Sequence, residues 1–457
     1  MWFYNAFKST MVIVLFWGIQ CASLSTVSAE ELALTDFYRM ALKNAETIRI
    51  SAENIEIAKQ TKKQAISVLV PTISAFGQYS RYDESRYVRN TTTIPLPAPL
   101  TPITFESESL VRPKWNSQWG IQAQQSFTVN GKELIAYSVT KDQIHQSEMD
   151  LDSIRADYLL NVTAAYYNVL KGEESNRTSE AEVARLEKHL ESIEARLALE
   201  DVTKTELFRT QAELSGARSI LIQAENSAKL TYFTMARLVG ISADFSVNPV
   251  PENMYAEAVE ELPVLIEMSM NNRTEIKSLE TSIIIAEKQI RFDRSDYWPR
   301  VTLQGQWVNT DQQEQGESID SIVGTAQVGW NLFQGGLRKA TVNISKARKR
   351  QAELALEDKK KEIRVDMEQA YLNLMTQKSV LTSLTDRLSF ARENYEAVTS
   401  QFEYGLANSV DVMDANTLLV TAEKDLTEAE FNHQLARVQV ERIKGSFLNE
   451  IKSRVGE

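Results

Sequence analysis

Three stretches of the chain carry mostly apolar residues at alternating steps of three and four positions, which is the spacing of helices that pack along one another. They cover residues 214–238, 363–402 and 419–443, and every proline of the chain lies outside them. A sustained seven-residue period predicts coiled-coil packing with a left-handed supercoil. An uninterrupted helix over 336–402 would be on the order of 100 Å long.

A shorter pattern alternates apolar and polar residues at every second position. Residues 321–332 follow it, with Val328 on the apolar face and Gln327 on the polar face, and residues 301–307 repeat it. A period of two predicts β-strands with one apolar and one polar face. Each half of the chain contains two such strands, which makes four per chain.

The tryptophans beyond the N-terminal segment all lie in or beside these strands: Trp115, Trp119, Trp298, Trp307 and Trp330. Transmembrane strands need only about 9–11 residues, alternate in the same way and carry aromatic residues at both membrane interfaces. The alternative is a soluble hairpin that packs its apolar face on a helix. Because the tryptophans are confined to the strands, we favour membrane-interface aromatics.

The chain repeats itself. LVPTISAFGQY at 69–79 returns as YWPRVTLQGQW at 297–307, and AAYYNVL at 164–170 returns as QAYLNLM at 369–375. Each copy runs helix, strand, strand, helix, helix. Internal repeats of this kind determine how the rest of a sequence is divided.

The two copies are predicted to cover residues 30–248 and 249–457. The first copy is longer by the 23 residues that separate the two repeat offsets of 228 and 205. The excess falls around 90–109, which is rich in proline and is predicted to be a long loop.

Residues 1–29 have the organisation of a secretory signal peptide. Lys8 precedes an apolar run at 11–19, which is too short to cross a bilayer, and small residues occupy 27–29. The alternative is a lipoprotein signal cleaved before Cys21, the only cysteine of the chain. A glutamine precedes that cysteine where a small residue is needed, which favours ordinary cleavage.

The composition offers little chemistry. The net charge of −12 argues against a nucleic-acid partner, because phosphate binding needs a basic surface. The three histidines, His145, His189 and His433, have no second ligand at metal-binding spacing. There is no Gly-x-Ser-x-Gly elbow and no glycine-rich phosphate loop. The sequence therefore predicts no enzyme, no metal site and no cofactor.

Four strands are too few to close a membrane barrel, and an open edge in lipid leaves backbone groups without hydrogen bonds. If the strands lie in a membrane, the chain must therefore oligomerise. Three copies would supply twelve strands.

Taken together, these features resemble the TolC family of outer-membrane export channels over almost the whole chain beyond the signal peptide. The resemblance rests on the duplicated unit, on the strand-to-helix junction NLFQGGLR at 331–338, and on two helical tips. LEDVTKTELFRTQAEL at 199–214 resembles the first tip, with Glu200 in place of the usual glycine. YGLANSVDVMDA at 404–415 resembles the second tip closely.

The resemblance implies a mostly α fold with a small β part. Three chains would form a coiled-coil helical barrel and a twelve-stranded transmembrane β-barrel, with four strands per chain and an internal two-fold repeat. It implies a passive exit duct in the outer membrane that extends into the periplasm. Its implied partners are outer-membrane lipid, a periplasmic adaptor (membrane fusion) protein, and an inner-membrane efflux pump or the ABC exporter of a type I secretion system.

A rival interpretation is a periplasmic or surface coiled-coil protein that forms no channel. It explains the heptads, but it does not explain why signal peptide, duplicated strands and tryptophans occur together.

Asp411 and Asp414 lie three residues apart at the second tip. One interpretation is a helix start, in which Asn408 caps the helix and Asp411 completes the capping box. The other follows from the resemblance, since family members carry rings of aspartates at the matching positions of the pore entrance. Carboxylate rings favour cations in a narrow pore. Both interpretations stand for Asp411, whereas the cap does not account for Asp414.

The resemblance also places adaptor docking at the two tips, on Val202, Thr203, Thr205, Gly405, Leu406, Ala407 and Ser409. Small residues permit close approach of a partner helix. The alternative is an ordinary helix–turn–helix connection in which glycine supplies the turn. The family's entrance latch often uses an arginine where this chain has Ala407, so the latch of this entrance is not predicted.

Overall fold

The structure is a computed structural model that describes residues 31–248, 260–313 and 317–456. The predicted signal peptide lies outside these residues. Helices make up most of the described chain, and their bounds are α1 Leu34–Asn44, α2 Glu46–Ser67, α3 Lys132–Ala198, α4 Lys204–Val239, α5 Leu262–Asn272, α6 Thr274–Arg294, α7 Leu337–Glu403, α8 Ser409–Lys444 and α9 Phe447–Val455. The strands are β1 Glu31–Leu32, β2 Thr72–Arg81, β3 Arg86–Ile94, β4 Ile103–Arg112, β5 Trp115–Thr128, β6 Ser246–Val247, β7 Arg300–Gln312 and β8 Ile319–Gly329.

Two helices dominate the molecule. Helices α3 and α7 contain 67 residues each, which corresponds to about 100 Å and confirms the predicted length of α7. Heptad positions such as Ile363, Met367 and Leu374 are buried against neighbouring helices. In the half of the molecule farther from the sheet, α4, α3, α8 and α7 lie side by side in that order, whereas nearer the sheet α6 lies between α3 and α7. Among the helices of the described ranges, none is apolar over a stretch that could cross a membrane.

The element order repeats along the chain. Helix α2 leads into β2, β5, α3 and α4, and helix α6 leads into β7, β8, α7 and α8. The mostly α fold with four strands in one sheet is confirmed. The boundary between 248 and 249 adjoins residues that the structure does not describe, so the division of the chain there stays a prediction.

The main sheet is antiparallel in the order β2-β5-β7-β8, so β2 and β8 are its edges. Because the strands pair in register, one face of the sheet is apolar and the other is polar, as two rows across the sheet illustrate. One row places Ala75, Ile121, Trp307 and Ile322 side by side, and another places Thr72, Gln124, Gln304 and Thr325 side by side on the opposite face. The predicted alternation is thus confirmed, although β8 ends at Gly329 rather than at residue 332.

The prediction of a loop at 90–109 is wrong. Strands β3 and β4 pair in an antiparallel hairpin, with Thr92 opposite Phe105 and Ile94 opposite Ile103. The prolines fall in the connection between Ile94 and Ile103, where they do not interrupt the ladder. The β-branched and aromatic residues on either side favour strands.

The largest apolar core lies midway along the helices, where short elements wrap α3 and α4. Phe37 and Tyr38 of α1 are fully buried there, and the Phe37 ring packs edge-on against Tyr166 at 5.7 Å. Helix α9 adds Phe447 and Ile451. These short elements have no long period, and no pattern of the sequence predicts them.

A cluster of ion pairs around the buried Arg442 fixes the end of α8 to this core. The Arg442 side chain donates to Asp157 of α3 at 2.9 Å and to Glu275 of α6 at 2.9 Å. Arg273 donates to the same Glu275 at 2.6 Å. Burial by itself raises the pKa of Glu275, but the hydrogen bonds and charges of the two arginines outweigh it, and the pKa lies well below its ordinary value.

Candidate functional site at the two helical tips

The first tip reverses the chain between α3 and α4. The Asp201 amide donates to the Arg196 carbonyl at 3.0 Å, which closes the end of α3. Glu200 takes a φ of +61°, the left-handed conformation that usually belongs to glycine. Thr203 then caps α4, because its hydroxyl accepts the Glu206 amide at 3.3 Å.

The second tip reverses the chain between α7 and α8 in a similar way. Gly405 takes a φ of +73°, and the Leu406 amide donates to the Gln401 carbonyl at 2.8 Å. Asn408 caps α8 by accepting the amides of Val410 at 2.8 Å and Asp411 at 3.1 Å. These contacts terminate α7 and begin α8 within five residues.

Asp411 completes a capping box at the second tip. Its carboxylate accepts the Asn408 amide at 3.0 Å, so the cap interpretation of Asp411 holds. Asp414 takes no part in the cap. Both carboxylates are exposed on one face of α8, whereas Val412 and Met413 between them are buried. The same face therefore carries two negative charges within the first two turns of the helix.

Contacts from α3 join the two tips to each other. Arg196 donates to the Glu403 carbonyl at 2.9 Å, and its guanidinium lies 4.4 Å from the centre of the Phe402 ring. His189 hydrogen-bonds the Ser409 hydroxyl at 2.9 Å. Nothing in the local sequence of the second tip signals these contacts, because their partners are more than 200 residues away.

The surroundings of His189 favour the neutral form of its ring. Burial lowers its pKa from the ordinary 6.5, and the positive charge of Arg196 lowers it further. The ring also packs 5.2 Å from Phe402. A neutral imidazole fits this position between an aromatic ring, a hydroxyl and a guanidinium.

A second arginine joins α3 to α8 farther from the tip. Arg185 donates to Asn416 at 3.0 Å and to Glu423 at 3.1 Å. The chain thus has no arginine at position 407; Arg196 of α3 joins the two tips, and Arg185 joins α3 to α8 beyond them.

The predicted docking residues differ in their accessibility. Thr203, Thr205, Gly405 and Leu406 are exposed, and Val202 and Ala407 are half-buried. Ser409 is buried beneath α3. The structure also exposes large apolar side chains that the sequence analysis did not single out, namely Leu199 at 80%, Phe208 at 63% and Tyr404 at 79%.

The tryptophans form two levels on the apolar face of the sheet or at its ends. Trp298 and Trp330 lie where the strands join the helices, and the Trp330 indole donates to the Tyr297 carbonyl at 3.0 Å. Trp119 and Trp307 lie toward the opposite end, with ring centres 4.9 Å apart. Trp115 begins β5 at that end.

The described residues contain no group of three or more histidine, cysteine or acidic side chains that could hold a metal ion. The chemistry at the tips is therefore that of charge, hydrogen bonds and exposed apolar surface.

Comparison with known proteins places these features among outer-membrane channels. Residues 265–446 match the family model described as Outer membrane efflux protein. Outer membrane protein TolC of Vibrio cholerae is 21% identical over 441 residues, which span 93% of this chain and 94% of that protein. Alkaline protease secretion protein AprF of Pseudomonas aeruginosa is 19% identical over 430 residues, which span 89% of this chain and 82% of AprF.

A solved structure agrees with these relatives. The CmeC outer membrane channel of Campylobacter jejuni superposes with a TM-score of 0.74 at 15% identity, covering 91% of this chain and 86% of CmeC. The fold described above is thus the fold of this channel.

Proposed function

We propose that this chain, which belongs to the TolC family of outer membrane efflux proteins, works as a homotrimer docked to a periplasmic adaptor protein. The protein lies in the outer membrane, extends into the periplasm and serves as an exit duct for efflux or secretion. The energy would come from an inner-membrane pump or an ABC exporter. The family is one of ducts, and the proposal contains no catalytic step.

The open edges of the sheet are the main observation that supports the proposed trimer. Strands β2 and β8 have no partner on their outer sides within the described chain, and unpaired edges are costly in lipid. Pairing β8 of one copy with β2 of the next removes both edges. Three copies then close a twelve-stranded barrel whose apolar face meets the lipid.

The helical array of the described chain also has two outer sides without a partner. Helices α4 and α7 are the outermost members of the array α4, α3, α8, α7. They expose large apolar side chains, among them Leu230 and Phe233 of α4 and Leu372 and Phe390 of α7, each at least 62% exposed. Contact between α4 of one copy and α7 of the next would cover these side chains.

Membrane retention and gel mobility test this assembly. We expect the protein to stay with the outer membrane after a high-salt wash and to run as a trimer on a denaturing gel until it is heated. Release by salt as a monomer would contradict the duct and favour the coiled-coil structural protein.

Asp411 and Asp414 would form the gate of the pore entrance. Their exposure on one face of α8 supports this role, because a trimer that turns this face inward places six carboxylates around the axis. Such rings bind multivalent cations and exclude anions.

A bilayer recording with a trivalent cation on the periplasmic side tests the gate. We expect block of the wild type and loss of block in the Asp411→Asn/Asp414→Asn variant. Glu213→Gln is the control, since it removes an exposed acid of α4 away from the second tip. Equal block of the wild type and the double variant would leave the aspartates as parts of a helix start.

The exposed apolar residues of the tips support docking of the adaptor. Leu199, Tyr404 and Leu406 are 78–80% exposed, and Gly405 leaves space beside them. Val202, Thr203, Thr205 and Ala407 would border this surface, whereas the buried Ser409 would support it from beneath.

Leu406→Asp separates docking from conduction. We expect the variant to lose the export that cells without this chain also lose, while the purified protein keeps its wild-type conductance. Ile284→Asp is the control, because this side chain is 49% exposed on α6, which lies between α3 and α7 of the same copy and far from the tips. Unimpaired export by Leu406→Asp would contradict docking at this surface.

A further inference from the structure

The β3–β4 hairpin is the part of the chain that the second repeat lacks. It follows β2 after four residues and rejoins β5 after two, at the end of the sheet away from the helices. The corresponding connection between β7 and β8 spans only residues 313–318. In the proposed duct the hairpin therefore extends outward from the rim of the barrel.

The root of the hairpin is braced against the sheet. The Tyr82 amide donates to the Lys114 carbonyl at 2.8 Å, and the Arg112 guanidinium lies 5.1 Å from the centre of the Tyr82 ring. The Gln313 side chain, just beyond β7, accepts the Lys114 amide at 2.9 Å and the Ser85 hydroxyl at 3.2 Å. These contacts hold the hairpin in a fixed position relative to the sheet.

The two faces of the hairpin differ in chemistry. One face carries the ion pair Arg89–Glu108 at 3.6 Å, with Glu106 opposite Thr91 beside it. The other face has no charged side chain between Val88 and Val111. It presents apolar residues that are 41–60% exposed, namely Val88, Ile94, Ile103, Phe105 and Val111, together with the uncharged polar residues Asn90, Thr92, Ser107 and Ser109.

A two-stranded hairpin with one exposed apolar face is marginal in water by itself. All nine residues of β3 are exposed, so nothing in the described chain covers this face. We propose that the uncharged face of each hairpin packs against the same face of the other two copies, so that three hairpins form an apolar cluster over the outer mouth of the duct. The proposal rests on the homotrimer.

The hairpin continues from the edge strand of the barrel, which is why we assign the other two copies as the partners that cover its uncharged face. The hairpin follows β2, the edge strand that meets β8 of the next copy in the closed barrel, so three hairpins rise at equivalent positions around one axis. A twelve-stranded barrel is roughly 24 Å across at ordinary strand spacing and tilt. A strand of nine or ten residues is about 30 Å long, which exceeds the barrel radius of about 12 Å. A hairpin that leans inward across the mouth is therefore long enough to reach the axis.

Cysteine cross-linking tests the cluster with a matched pair of neighbouring positions. Asn90 lies on the uncharged face and Thr91 on the charged face of the same strand, and both are exposed. Because the only native cysteine, Cys21, lies in the predicted signal peptide, each variant carries a single thiol. We expect Asn90→Cys to cross-link between copies with a short bismaleimide at least 10-fold more than Thr91→Cys.

A second substitution disperses the cluster. Phe105→Asp should abolish cross-linking at Asn90→Cys, because it places a charge on the apolar face, whereas Thr104→Asp on the opposite face should preserve it. The heat-sensitive trimer band shows that each variant assembles. Equal cross-linking at positions 90 and 91 in an intact trimer would overturn the cluster alone, whereas absence of the trimer would overturn both the cluster and the proposed assembly.

Discussion

At the scale of single residues, Arg442 is the least exposed charged side chain among those that the structure describes. It is 5% exposed and joins α8 to Asp157 of α3 and Glu275 of α6. Removing one partner of a buried ion pair leaves the other charge without compensation. The surface ion pairs of the helices differ from this one, because their charged groups are open to water.

We expect Arg442→Met to lower the free energy of unfolding by about 3 kcal/mol, the lower end of the usual range, because Arg273 still neutralises Glu275. Arg291→Met is the control, since Arg291 is 66% exposed and pairs with Glu287 one turn away at 3.2 Å. Its loss should cost less than about 1 kcal/mol. Denaturant titration in detergent measures both, and equal effects would contradict the assigned role of the cluster.

His189 gives the tips a defined response to pH. Its pKa is lower in the folded protein than in the unfolded chain, so protons bind preferentially to the unfolded state and acid destabilises the fold. This contribution to stability is complete above about pH 6.5 and is lost as the pH falls toward the lowered pKa.

His189→Gln should remove this response while retaining a hydrogen-bonding side chain near Ser409. We expect the midpoint of thermal unfolding to fall more steeply between pH 7.5 and 5 in the wild type than in the variant. Parallel pH profiles of the two proteins would show that His189 is protonated equally in both states.

At the scale of elements, both tips reverse the chain direction, but they use different residues to do so. Glu200 and Gly405 both have positive φ, but only glycine adopts that conformation without strain. The remaining contacts of the two turns are alike, since each helix end is closed by a backbone hydrogen bond to the preceding turn.

Glu200→Gly should therefore raise the free energy of unfolding by about 0.5–1 kcal/mol. Gly405→Ala should lower it by about 1 kcal/mol through the backbone alone, because an added Cβ would have no atom within 4 Å. Thermal unfolding of the two variants beside the wild type checks both signs, and a stabilising Gly405→Ala would contradict the argument.

Elements with a long period could be predicted from the sequence, and elements without one could not. Helix α7 shows its heptads over many turns, and β8 shows its alternation over eleven residues. Helices α1 and α9 have only eleven and nine residues, and their burial depends on contacts with α3 that local sequence does not specify. The β3–β4 hairpin was missed because its prolines mark the turn but not the strands on either side.

The candidate site likewise has features that the sequence predicts and features that it does not. The cap formed by Asn408 and Asp411 is a local signal and could be predicted. The contacts of Arg196 and His189 with the second tip come from the other repeat, and no pattern within either tip indicates them. The exposure of Leu199 likewise depends on how α3 ends.

At the scale of the whole molecule, the described part of a single chain leaves several surfaces without a partner. Its sheet has two free edges, its helical array has two exposed apolar sides, and its acidic face at the second tip has nothing opposite to it within the described chain. Three-fold closure accounts for all three features at once. The periodic pattern of the sequence predicts this architecture, because the repeat and the alternation are present although the identity to TolC of Vibrio cholerae is only 21%.

Electrical recording of the purified trimer in a planar bilayer tests the central claim most directly. We predict discrete channels of small, cation-selective conductance, because Arg196 joins the two tips and the entrance carries carboxylates. No conductance from protein shown to be folded and trimeric would contradict the exit duct and leave a coiled-coil structural protein.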